Sequence, residues 1–268
     1  SLRSHPYPQS DMNTVSSRLV HRNLEEPAVR ETFRLLEGDA EVQSYLRMAN
    51  VMAVKRLVYN DHGPVHARIT AGSALEILRL ASEAVEPSCV ANGVGDYENA
   101  KVIVLCGAYL HDVGNAIHRD RHEQNGLVLA APILERVLGR VYPHDPELVY
   151  RLKSETLHTI YASDDEVPCL SVEAGVVTVA DGTDLAEGRS REPYRGGKND
   201  IHSVSALAIK RVNIGEGDQK PVKIQVEMTN PAGIFQVQEV LGRKLKSSRL
   251  EDLVEISAVM DGREVKPL

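Results

Sequence analysis

Two residues stand side by side at the end of an apolar run: His111 and Asp112, after the stretch 102–110. His118 and His122 follow within about three helical turns' worth of chain. His66 lies upstream, and His158 and Asp181 lie downstream. Imidazole and carboxylate together suit Mn, Fe, Co, Ni or Zn, whereas carboxylate alone suits Mg. The chemistry these residue types point to is that of a divalent metal centre. Asp181 adds weight because Val177, Val179 and Ala180 precede it, and an acid in apolar surroundings needs a charged partner.

A metal centre needs elements that bring distant ligands together. Pro27 is suited to opening a short helix that stops at Gly38. Residues 41–59 carry a wide apolar face with Leu46, Met52 and Val54 and read as helix. Asn60, Asp61, Gly63 and Pro64 make a turn, so His66 falls in the first turn of a helix running to about residue 84. Further helices are expected over 97–112, with Gly114 as the stop, and over 120–138, where Pro132 predicts a kink or break. Residues 146–161 and 171–187 complete the helical series, the last capped by Ser171.

Some ligand geometry follows. His111 and Asp112 lie about 100° apart around a helix. They converge only if the helix ends there or if two ions sit between them. His118 and His122 share a face if their helix has begun by His118.

After a polar, Gly-rich stretch over 188–200 the period changes from helix to strand. Strands are expected over 206–214 and 221–229, flanking Gly215, Glu216, Gly217 and Asp218, followed by a helix over 232–246 and a strand over 253–260. The expected fold is mainly α, a helical core followed by a small β-β-α-β region. Residues 1–40 read as an arm and a helix, 41–195 as the metal-binding helical domain, and 200–268 as the small α+β domain.

Composition bounds the function. Of 268 residues, 42% are hydrophobic, enough for a real core, and the net charge of −7 argues against a broad nucleic-acid or anionic-membrane surface. Cys89, Cys106 and Cys169 are widely spaced with no CxxC pair, which predicts reduced thiols in a cytoplasmic protein. The N-terminal stretch has no apolar segment of a signal peptide, and no run is long enough to span a membrane.

The ordered series His66, His111-Asp112, Asp181 resembles the signature of the HD-domain metal-dependent phosphohydrolase superfamily. His111-Asp112-Val113-Gly114 is similar to that family's frequent His-Asp-Ile-Gly version, and residues 173–184 resemble its late helix. The resemblance covers roughly residues 41–191 and implies an all-helical core. His122, with Gly126 four residues on, resembles the first extra His of the two-metal subgroups, and His158 resembles the second. That implies a binuclear set of His66, His111, Asp112, His122, His158 and Asp181, with Asp112 bridging; the cofactor is one or two divalent ions (Mn, Fe, Co, Ni, Zn or Mg). No Gly-Tyr-Pro follows His158, and Gly114-Asn115-Ala116-Ile117 replaces the Gly-Asn-Pro-Pro of many dNTP triphosphohydrolases, so those substrate classes lose weight.

The implied activity is hydrolysis of a small phosphate ester, a nucleotide or relative, by a metal-activated water. In that scheme Asp112, Asp184 and His118 are the catalytic candidates: Asp184 orients the water or is a supporting or capping acid, and His118 replaces His122, acts as an acid or substrate contact, or is a solvated helix residue. Arg68, Arg189, Arg191 and Lys198 are the candidates for substrate phosphate. Two other readings compete: an HD-type di-iron oxygenase and a catalytically silent ligand-binding module. The C-terminal region could cover the site or form a homodimer contact. His62, before Pro64, reads as a turn residue or a support for the ligands rather than a ligand.

Overall fold

The computed structural model describes residues 12–185 and 201–265. Helix α1 (Pro27–Gly38) starts on its proline, where the missing N–H costs nothing. Asp39 then turns the chain and caps α2 (Ala40–Asn50), its carboxylate accepting from the amides of Glu41 and Val42. The expected helix over 41–59 is therefore shorter and changes character: Val51–Arg56 is π-helical. Val58 follows at φ +57°, a conformation that a β-branched side chain rarely adopts. This widened, strained turn leads directly to the loop that carries His62.

Two helices form the centre. α3 (Pro64–Ala81) is buried on almost every side, and so is α5 (Tyr97–Leu110). The short helix α4 (Ser88–Ala91) lies between them in sequence. α5 begins with a reciprocal cap, in which Asp96 accepts from the Asn99 amide and Asn99 accepts from the Asp96 amide. Around them pack α1, α7 (Pro146–Tyr161) and α8 (Val172–Asp181), with α6 (His122–Val141) beside α7. Pro132 does not break α6. The carbonyl it orphans belongs to Val128, a residue that is 71% exposed on the outer face of the helix. Among the described residues no helix is long and apolar enough to cross a membrane.

The C-terminal region follows the expected order, with extensions. Helix α9 (Ile201–Leu207) occupies the start of the first expected strand. Strands β2 (Ile209–Gly215) and β3 (Val222–Met228) pair antiparallel. Helix α10 (Gly233–Gln236), the π-helical Val237–Gly242 and α11 (Arg243–Ser248) then form the crossover to β4 (Val254–Met260), which is parallel to β3. Two further strands escape sequence reading because each is too short to show alternation. β1 (Asn13–Thr14) joins from the N-terminal arm through Asn13 opposite Ile214, and β5 (Arg263–Val265) folds back on β4 through Asp261 and Gly262, both at positive φ. The sheet order is β1-β2-β3-β4-β5. Val222, Ile224, Val226 and Met228 all point inward, and one apolar core runs from α3 and α5 to the sheet without a break.

One close approach fixes the region around His111. Gly114 lies against the first turn of α6, where a Cβ would stand 1.9 Å from the His122 carbonyl oxygen and 2.4 Å from the Gly126 amide nitrogen. The two glycines let the turn after Asp112 rest on the start of α6. Gly114→Ala must push two backbone segments apart. It should destabilise the fold by roughly 2–3 kcal/mol, as overpacking of a well-packed core does. A chemical denaturation midpoint unchanged from the parent chain would contradict this packing.

Candidate metal centre

Each ligand sits at the end of an element. α5 stops at Leu110, and His111 is its C-terminal cap. The chain then tightens into a 3-10 turn, Val113–Ala116. This ending removes the angular separation a continuing helix would impose, and His111 and Asp112 face one another's surroundings. His66 occupies the first turn of α3, Asp181 is the last residue of α8, and His122 is the first of α6. Arg121, at φ +57°, makes the left-handed step that aims α6 at the site.

Two imidazole nitrogens lie close to each other and to two carboxylates. His66 Nε2 is 3.0 Å from Asp181 Oδ1, 3.3 Å from Asp112 Oδ2 and 3.4 Å from His111 Nε2. His111 Nε2 is 3.4 Å from both Asp112 Oδ2 and Asp181 Oδ1. Donors about 2.0–2.1 Å from a common ion stand roughly 2.9–3.4 Å apart, the shorter value for octahedral and the longer for tetrahedral disposition. The observed spacings fall in that interval.

The hydrogen bonds behind the donors decide which lone pairs are offered. His111 Nδ1 donates to the Ala108 carbonyl at 2.8 Å, and His66 Nδ1 donates to Asp184 Oδ2 at 2.7 Å. Each neutral ring therefore presents a bare Nε2 to the centre. Two imidazole lone pairs face each other with a carboxylate oxygen of Asp112 and one of Asp181 beside both, and without a cation they repel. His66, His111 and Asp181 form one group that could hold an ion, and His62, His66 and Asp112 form another. The donor set fits a divalent transition metal. His62 supports it from the other side, its Nδ1 donating to Asp112 Oδ2 at 2.6 Å.

Lys244, on α11, was not legible in the sequence. Its Nζ lies 2.9 Å from Asp181 Oδ2 and 3.1 Å from Asp165 Oδ1, so it holds the carboxylate whose other oxygen faces the centre. No spacing links residue 244 to the histidines; only the packing of α11 against α8 brings it there. Gly175 permits that packing, since a Cβ on it would meet the Ser248 carbonyl oxygen at 2.5 Å.

Several expected site residues lie elsewhere or act otherwise. His158 is half-buried in a small polar pocket with Ser88, Asn92, Glu155 and Leu170, and its Nε2 accepts the Leu170 amide at 3.0 Å. Its ligand lone pair is thus used, and the sixth position of the expected binuclear set is not brought to the cluster. His118 precedes α6 instead of riding on it. Its side chain is 63% exposed and its Nδ1 accepts the Asp120 amide, so it is no acid at this centre. Asp184 is buried, but it orients the His66 ring where a water-orienting role was expected. Arg68 is paired with Glu37 through its Nε at 2.8 Å. Arg189, Arg191 and Lys198 lie outside the described residues. His122 does reach the cluster, its Nε2 3.4 Å from Asp112 Oδ1.

Burial alone would raise the Asp112 carboxyl, but His111 and His62 outweigh it and hold the group well below the usual carboxylate range. Asp181 behaves alike, with Lys244 the largest opposing charge. Burial disfavours the His111 imidazolium, yet Asp112 and Asp181 outweigh that and raise it above its ordinary value. Asp112 and Asp181 stay ionised through the neutral range, so His111 sets the sign there. In the metal-free chain its imidazolium stabilises the fold below the ordinary histidine value and is lost as pH rises through the raised one. Ion binding runs the other way, because the ion must displace that proton. Mn affinity should therefore climb as pH rises above about 6.5, with proton release seen by calorimetry in buffers of different ionisation enthalpy. An affinity flat with pH would contradict this.

No family model matches the chain, and no solved structure matches it. The uncharacterized protein MJ1020 of Methanocaldococcus jannaschii is 48% identical over 219 residues, a span covering 81% of this chain and 84% of that protein. At that identity and coverage the two chains share a fold, and this chain belongs to the family of that archaeal protein.

Proposed function

We propose that the chain is a metal-dependent phosphohydrolase of the HD-domain type, acting on a nucleotide or similar small phosphate ester in a cytoplasmic setting. The observation that carries this reading is the set of four lone-pair donors, His66 Nε2, His111 Nε2, Asp112 Oδ2 and Asp181 Oδ1, in which each imidazole nitrogen lies beside the other and beside both carboxylates. These four would hold the ion. A bound divalent ion supplies Lewis-acid activation of a water nucleophile and of a phosphoryl oxygen.

The chain's own residues do the rest. Asp184 and the Ala108 carbonyl fix the two imidazole rings by holding each Nδ1 proton. Lys244 keeps Asp181 ionised and in place, and His62 does the same for Asp112. Water as the nucleophile agrees with the thiols: Cys89 and Cys106 are buried, and burial pushes each up to about 12. Three free, buried cysteines also suit a reducing compartment.

The test is metal analysis followed by a screen of mononucleotides, cyclic nucleotides and sugar phosphates, run with and without oxygen. Hydrolysis should proceed anaerobically with Mn or Ni. Asp112→Ala and His66→Ala should each lose the ion and lower turnover by at least about 100-fold, the scale of removing a metal ligand. Turnover and metal content unchanged in Asp112→Ala would remove the catalytic reading. Strict dependence on iron and oxygen would replace it with an oxidative one.

A further inference from the structure

The outer side of Asp112 holds an unassigned group. Asp112 Oδ1 faces His122 Nε2 at 3.4 Å and accepts from Asn115 Nδ2 at 3.0 Å. A second ion there would need His158 or another donor, and His158 is engaged with the Leu170 amide. The position beside His122 is instead occupied by a cation of the chain itself. Arg119 Nη1 lies 3.3 Å from His122 Nε2 and 3.2 Å from Asn115 Oδ1. His122 Nδ1 donates to the Arg119 carbonyl, which leaves Nε2 as the acceptor for that guanidinium. The guanidinium carbon sits 5.6 Å over the Tyr59 ring.

Three side chains thus hold Arg119 in place, and none neutralises it. Among the described residues it pairs with no carboxylate, and its Nε and Nη2 donate to no protein group. Arg34, Arg68, Arg79 and Arg136 each have an acid partner. Lys244 is committed to Asp181 and Asp165, so among the described residues Arg119 is the cation beside the centre whose contacts are all neutral side chains. A partly buried guanidinium with free forked donors beside a metal centre is the arrangement that binds phosphoryl oxygens.

We propose that Arg119 is the second cation of this site: the centre takes one metal ion, and Arg119 binds the phosphoryl group of the substrate where a two-metal site would place its other ion. His122 and Asn115 are then positioning residues for the arginine. The inference rests on the metal-centre reading above and assigns His122 a different role from that of a ligand.

The experiment counts manganese per chain by mass spectrometry and titrates manganese-loaded protein with inorganic phosphate by calorimetry. Parent chain, Arg119→Met, Arg119→Lys and His122→Ala are compared, each checked as folded by circular dichroism. One ion per chain is expected in all four. Phosphate affinity should fall at least about tenfold in Arg119→Met, the scale of losing a charge-assisted hydrogen bond, and recover in part in Arg119→Lys. Two ions in the parent and one in His122→Ala would overturn the proposal, because His122 would then be a ligand. One ion with phosphate bound equally well by Arg119→Met would overturn the arginine's role alone. No ion in any chain would overturn the metal centre and this inference with it.

Discussion

The structure depends on a repulsion. Two imidazole nitrogens stand 3.4 Å apart in the interior, and each lies 3.0–3.4 Å from a carboxylate oxygen of Asp112 and of Asp181. Each nitrogen's ring partner is already donating elsewhere, so no neutral tautomer relieves the crowding. Burying such a set has a large desolvation cost unless a cation completes it. Protons supply part of that charge in the metal-free chain, which is why Asp112 and Asp181 raise His111 above its ordinary range. A divalent ion would supply all of it at one position. The surrounding fold is best understood as the set of constraints that keep these atoms together.

Those constraints come from helix ends. Pro64 starts α3 two residues before His66, the end of α5 releases His111 and Asp112 into a tight turn, and Gly114 against Gly126 locks that turn to α6. The C-terminal region adds a constraint from a distance of more than sixty residues in sequence. α11 packs on α8 and inserts Lys244 beside Asp181, so the small sheet and its crossover helix are tied to the centre by an ion pair as well as by a continuous apolar core. Loss of α11 would leave Asp181 without its strongest opposing charge.

Much of this was legible in the sequence. The helices and the three main strands follow from hydrophobic period, Pro64, Ser171 and the turn residues around Gly215, and the four donors follow from residue type and order. Pro132 leaves α6 unbroken: a local propensity rule does not weigh the packing that holds the helix on both sides of it. His158 and His118 misled because spacing gives no ring direction: one nitrogen lone pair was spent on the Leu170 amide, and the other ring lies before its helix begins. Lys244 and the acceptors behind each imidazole carry no sequence signal, since they depend on tertiary packing. Arg119 lies within the motif-bearing stretch, but residue type and spacing carry no sign of which arginine lacks an acid partner.

The central claim is that one ion is held by His66, His111, Asp112 and Asp181. Anomalous diffraction from crystals of the protein grown with Mn or Zn, recorded at that metal's absorption edge, tests it most directly. The account predicts a single strong peak about 2.0–2.2 Å from His66 Nε2, His111 Nε2, Asp112 Oδ2 and Asp181 Oδ1. A peak at His158 in place of this point, or none within the cluster, would contradict it.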